Sequence, residues 1–308
     1  MTDQLKEFFN QVDSSTYLPI KLFYDFLKSM QASDDSSKKI VDNICALSLY
    51  NISFLETKEA GSSIYSEDDL SSIKLQISQF ATKYTLGHEA GHLLLDIFAK
   101  EQVPYQYDEV NKLCIERLLA KREIVEKMFC KLSNRVYESI LGNLDESVCF
   151  FQRHLEILDE YYDKDLGISE NDFLGQAIVN WAAILNDFDK NTREYNTVSN
   201  VIDSMFAGDN PFYSTYGNES IHPILASHRK EYFCDDSIDS KVIGFEEQFA
   251  EYVVLRVFGN EMRGVTTTLH NLIGDEWFLM MNEYYDNMAD KVLEAGKVYQ
   301  YKREDANI

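Results

Sequence analysis

The sequence predicts a mainly α chain of the α+β class, with a small mixed sheet just ahead of one particular helix and a large helical insertion after it. Three observations carry this expectation. Apolar residues recur at helical spacing through most of the 308 residues. Only four prolines occur, at 19, 104, 211 and 223, and three of them flank helical stretches, where a fixed φ and a missing N–H do least harm. Period-2 alternation shows in two short segments, 47–57 and 62–66.

Taken in order, residues 3–12 and 17–31 read as amphipathic helices, the second capped by Ser15 or Thr16. Ser36-Ser37 opens another, carrying Ile40, Ile44 and Leu47. The segments 47–57 and 62–66 follow as strands, with 62–66 expected at a sheet edge. A helix then runs through residues 85–98, and 107–143, 144–162, 169–187 and 191–206 read as successive long helices. Gly208-Asp209-Asn210-Pro211 is a turn signal that closes this block. Residues 261–294 read as C-terminal helices and 302–308 as a polar tail, with no internal repeat and no low-complexity linker. The expected organisation is one catalytic unit over 1–308, with 107–206 as a helical insertion that caps a cleft or docks a partner protein.

Composition bounds the function. An apolar content of 45% fits a folded globular chain. The net charge of −23, without a basic stripe, argues against nucleic acid as a partner. No apolar run is long enough to span a membrane, and the first residues carry no signal-peptide block, so a cytoplasmic protein is expected, or one exported by a specialised secretion system. The five cysteines, at 45, 114, 130, 149 and 234, form no CxxC pair and read as free thiols.

The chemistry is concentrated in His88-Glu89-Ala90-Gly91-His92. Residues four apart share a helix face, so two imidazoles reach one metal ion together. Glu89 then lies beside the open coordination position, where it can take a proton from water. Zinc (Zn2+) suits the task because three protein ligands leave room for that water. Leu86, Leu93, Leu94, Ile97 and Phe98 supply an apolar back to this helix. Gly87 and Gly91 make sense where a backbone or substrate approaches closely. Asp96 either supports the site or lies on a solvated face.

A third ligand is needed. Leu95 and Phe98 exclude the HExxHxxGxxH continuation, and the short-linked Glu spacing lands on Asn111. The remaining source is a carboxylate on a distant helix, and residues 244–254 stand out. There Glu247 and Glu251 share one face while Phe245, Phe249, Ala250, Val253, Val254 and Val257 pack the others. Such a pair lets the first carboxylate bind the ion and the second accept a hydrogen bond from a ligating imidazole. Glu246 is the rival ligand.

Glu247-Gln248-Phe249-Ala250-Glu251 resembles the E-F-F-A-E helix of the anthrax lethal factor-like gluzincins, and is similar to metallopeptidase domains of bacterial polymorphic toxins and prophages. Those families commonly carry HE-x-G-H with an Asp four residues on, as in His88–His92 and Asp96. The resemblance implies a zincin-like core, Glu247 as third ligand, and Glu251 as the carboxylate behind an imidazole. It covers two helices and the segment before the second. Two departures are Gln248, where the families have an aromatic residue, and the long separation of His92 from Glu247. Family members often place a His or Tyr ahead of the second helix, which implies Tyr232, then His228, as the group that steadies the oxyanion. His154, His222 and His270 read as structural or surface residues.

The leading expectation is a zinc-dependent endopeptidase acting on polypeptides. The alternative is a catalytically inactive metal-binding regulatory or scaffold protein of the same fold. A third is a helical partner-binding protein with an accidental motif, which elemental analysis separates from the other two.

Overall fold

A computed structural model describes residues 10, 14–48, 52–57, 63–66, 73–78, 81–98, 103–125, 127, 190–207, 230–233 and 239–306. The chain forms two compact units. The first comprises Met1–Val110, Phe245–Arg263 and Asp275–Ile308, and the second Asn111–Gly244 and Gly264–Gly274. The described residues are mostly helical, with one small sheet.

In the first unit, α1 (Leu18–Ser33) and α2 (Asp35–Ser48) precede β1 (Ile52–Thr57), β2 (Ser63–Ser66) and β3 (Ile73–Ser78). The expected caps move. α1 has no side-chain cap: Ser15 Oγ accepts from Tyr17 N at 3.1 Å, and Pro19 supplies a preset φ in the first turn. α2 starts before Ser36, because Asp34 Oδ1 accepts from Ser37 N at 2.8 Å, the bond of an N-cap carboxylate. Leu47 belongs to α2, so the first strand is 52–57 rather than 47–57. Ile40 and Ile44 are buried as their spacing requires.

The sheet order is β1-β3-β2. β3, a strand additional to the two expected, is central: it runs parallel to β1, with Ile52 opposite Ile73, and antiparallel to β2, with Ile64 opposite Leu75. Its Ile73, Leu75 and Ile77 are buried while Lys74 and Gln76 are half-buried, the alternation of a strand with one face on a core. β2 lies at an edge of this sheet, as expected of 62–66, and the next helix packs against it.

That helix is α3 (Lys83–Phe98). Its start is fixed by a reciprocal pair: Thr85 N donates to Thr82 Oγ1 at 3.2 Å, and Thr82 N donates to Thr85 Oγ1 at 3.1 Å. Lys83 and Tyr84 both reach Glu261, and Tyr84 packs edge-on against Phe258. Leu86, Leu93 and Leu94 are buried as expected; the side chains of Ile97 and Phe98 lie outside the description.

α4 (Tyr107–Ala120) is followed by a turn at Lys121 and a further helical turn, so the single helix expected over 107–143 is broken there. The helices expected over 3–12, 144–162 and 169–187 fall almost wholly outside the described residues, as does the turn at 208–211. Within the second unit, α5 (Lys190–Phe206) is buried from Thr197 to Met205 except at Asn200, and so forms that unit's core. Asn111 donates to Met205 O at 2.8 Å, and Arg117 donates to Ile273 O at 2.8 Å.

α6 (Ser240–Val257), α7 (Arg263–Ile273) and α8 (Glu276–Ala306) complete the chain. Gly274, at φ 87°, ends α7 in the left-handed conformation that glycine adopts without strain. α8 continues to Ala306, correcting the polar tail expected from 302. Its Trp277, Met281, Tyr285, Met288 and Val292 are buried on one stripe. Tyr285 hydroxyl lies 2.9 Å from Ser37 Oγ, joining α8 to α2. Among the described residues, no helix is long and apolar enough to cross a membrane.

Candidate metal centre

α3 and α6 cross at Gly91 and Ala250. A Cβ built on Gly91 would stand 2.6 Å from Ala250 Cα, closer than real Cβ atoms come. Only glycine permits that approach. Around the crossing stand His88 and His92 on α3, and Glu247 and Glu251 on α6.

Their donor atoms converge. His88 Nε2 lies 3.3 Å from Glu247 Oε2, His92 Nε2 lies 3.4 Å from Glu247 Oε1, and the two imidazole nitrogens stand 3.2 Å apart. A tetrahedral ion with bonds of about 2.0–2.1 Å holds its donors about 3.3–3.4 Å apart. These three residues can therefore hold a metal ion, each through one atom. Two imidazoles and a carboxylate are also the donor set that suits zinc and other late transition metals. The choice between the adjacent acids goes to Glu247: Glu246 is half-buried and is not part of the donor group.

Glu251 stands behind the cluster. Its side chain is fully buried, with Oε1 3.2 Å from His88 Nδ1. A carboxylate on that nitrogen favours the Nδ1–H tautomer and leaves Nε2 free to ligate. Burial disfavours the His88 cation, yet the carboxylates of Glu247 and Glu251 outweigh it and hold its pKa well above the ordinary value. His92 is raised too: Glu247 offsets the cost of burial. Burial pushes Glu247 up, but both imidazoles pull it well below the carboxylate range. Two cation-forming rings facing two buried acids make a site whose charge changes hands readily.

Glu89 is largely buried, and desolvation raises its pKa, with both imidazoles opposing and Glu247 and Glu251 adding to the rise. Its carboxyl thus feels all four residues of the cluster. Asp96 is exposed near the end of α3; its charge raises Glu246, for which burial is the larger cause. Tyr232 lies on the turn Lys230–Phe233 in the second unit, 44% exposed, its ring edge-on to Phe233. It is not in the donor group. His228 lies outside the described residues.

One feature of the ligand helix is not anticipated by its sequence pattern. Gln248, fully buried beside Glu247, donates from Nε2 to Tyr107 hydroxyl at 3.1 Å and accepts from Trp277 Nε1 at 2.8 Å. Phe245 packs edge-on against Tyr107, and Phe245 and Phe249 both pack against Tyr284. The departure from an aromatic residue at 248 is thus a satisfied buried amide.

No family model, no curated protein and no solved structure matches this chain.

Proposed function

We propose that this chain is a zinc-dependent peptidase with a zincin-like core, in which His88, His92 and Glu247 hold the ion and Glu89 is the general base. The observation that carries the reading is the convergence of one donor atom each from His88, His92 and Glu247, all within 4.8 Å of one another, at the positions of an HExxH motif and a remote glutamate. When bound, the ion supplies a water of pKa near 7 and polarises the attacked carbonyl.

The residues do the rest. Glu251 fixes the tautomer of His88, so that Nε2 presents its lone pair inward. Glu89 takes the proton from the attacking water and returns it to the departing amide nitrogen. Burial raises its pKa, the direction that strengthens a carboxylate as a base. Strand β2, against which α3 packs, is an edge of the sheet among the described residues, the place where an extended polypeptide could add a strand. That pairing would align a peptide beside the two histidines.

The test combines metal analysis with cleavage. Purified protein should carry one zinc per chain and cut peptides of a proteome digest in a chelator-sensitive way. Glu89→Gln should keep the zinc and lose cleavage by roughly 100- to 10,000-fold. Proteolysis that survives this change overturns the role of Glu89. Zinc without any cleavage selects the inactive metal-binding alternative, and no stoichiometric metal removes both.

A further inference from the structure

We infer that the Gly91–Ala250 crossing is a size gauge for the bound ion: it fixes the separation of the two ligand helices and so selects a small tetrahedral cation. This rests on the metal-binding reading above. Gly91 lies three residues after His88 and one before His92; Ala250 lies three after Glu247 and one before Glu251. The point of closest backbone approach therefore sits at the centre of the ligand set. The hypothetical Gly91 Cβ would meet Ala250 at Cα, at 2.6 Å, and at Cβ, at 3.2 Å. Backbone cannot swing aside as a side-chain tip does. A methyl group at 91 must push the helices apart until the contact reaches an ordinary distance. Metal sites tolerate deviations of only about 0.2 Å in their bond lengths, so a helix shift of several tenths of an ångström is felt by the ion first.

A built-in contrast stands one turn earlier. A Cβ on Gly87 would meet Phe258 Cε2 at 3.1 Å and Val254 Cγ2 at 3.3 Å, both side-chain rather than backbone atoms and both farther off than the 2.6 Å contact at Gly91. Glycine is disfavoured in a helix interior by about 1 kcal/mol relative to alanine, so both positions carry the same propensity cost. Only Gly91 has the backbone reason to retain it.

The experiment measures zinc and cadmium affinities by chelator competition for the unaltered protein, Gly91→Ala and Gly87→Ala. Cadmium has the same charge and accepts the same ligands with longer bonds. The expected result is a zinc affinity lowered roughly 10- to 100-fold in Gly91→Ala, the range that displaced ligand support produces. Cadmium should lose much less, so that the zinc-to-cadmium ratio falls. Gly87→Ala should leave the ratio unchanged. Should Gly91→Ala fail to fold, Ala250→Ser at the same crossing takes its place, with a smaller change in the same direction. Unchanged zinc binding in Gly91→Ala, or equal losses for both ions, overturns the gauge. An unaltered protein that binds neither ion overturns the metal reading itself, and the gauge with it.

Discussion

Two polar clusters lie on the same helix, α6, and they differ in one respect. At its C-terminal end, Arg256 spends its guanidinium on the chain. Nε donates to Asp34 at 3.0 Å, the terminal nitrogens donate to Ser36 and Asp286 at 2.8 Å each and to Asn282 and Tyr252, and the group lies 4.2 Å from the Tyr285 ring centroid. The cation is already present and its partners surround it. Two turns earlier, Glu247, His88 and His92 each turn one donor atom toward a common point. A cluster that encloses its own charge holds the fold together. A cluster whose donor atoms gather within 4.8 Å of one another could hold a metal ion.

Mutations should separate these two roles. Glu247→Gln should abolish stoichiometric zinc while leaving the helical circular dichroism intact; zinc at one per chain would break the comparison. Arg256→Leu should do the reverse. It should lower unfolding free energy by about 1–2 kcal/mol, because Arg256 is half-buried and its Asp34 and Asp286 partners are screened by water, yet leave zinc stoichiometry unchanged in native-state metal analysis. Glu251→Gln sits between them: zinc affinity should fall roughly 10- to 100-fold in chelator titrations, since the imidazole keeps its place but loses its orienting carboxylate.

Asp34→Asn is the smallest, about 1 kcal/mol, because an asparagine still caps a helix but pairs more weakly with Arg256. Its signature is in acid. Burial raises the Asp34 carboxyl, but Ser37 N–H, Ser36 and Arg256 outweigh it and bring the pKa down to about 2. A depressed folded-state pKa gives stability that is present above the unfolded value and lost as pH falls through the folded one. Denaturation of the unaltered protein between pH 4 and about 2 should therefore contain a component that Asp34→Asn lacks.

The metal cluster predicts the opposite sign in the ion-free protein. His88 and His92 have raised folded-state pKa values, so their contribution is full below the unfolded imidazole pKa and is lost as pH rises through the folded one. Zinc needs those rings deprotonated, so its affinity should climb over the same interval in which ion-free stability declines. Thermal unfolding with and without chelator across that interval checks both.

The sequence makes local periodic features legible and long-range closures opaque. His88 and His92 are readable because four residues make one helical turn, and Glu247 with Glu251 for the same reason. Their meeting is not contained in either helix; it rests on a resemblance and on the crossing at Gly91 and Ala250. β3 carries a readable alternation at Ile73, Leu75 and Ile77, though six residues framed by polar segments make a weak signal. The cap of α2 was misplaced by two residues because Asp34 and Ser36-Ser37 are all good capping types, and only the bond to Ser37 N chooses between them. The Arg256 cluster leaves no local trace, since its Asp34 partner lies 222 residues away. Tyr232 and His228 follow only from the resemblance, since proximity to the cluster is not encoded by spacing along a chain.

The amide of Gln248 has a consequence for how an ion would be taken up. Held from two sides by Tyr107 and Trp277 in a dry interior, it prevents α6 from turning or sliding without orphaning polar atoms, at about 1–3 kcal/mol for each one stranded. The neighbouring carboxylate is thereby kept on station before any guest enters. If an ion is captured there, its ligand carboxylate needs no reordering of α6, and the rate of loading should follow buffer acidity rather than the temperature at which the protein melts.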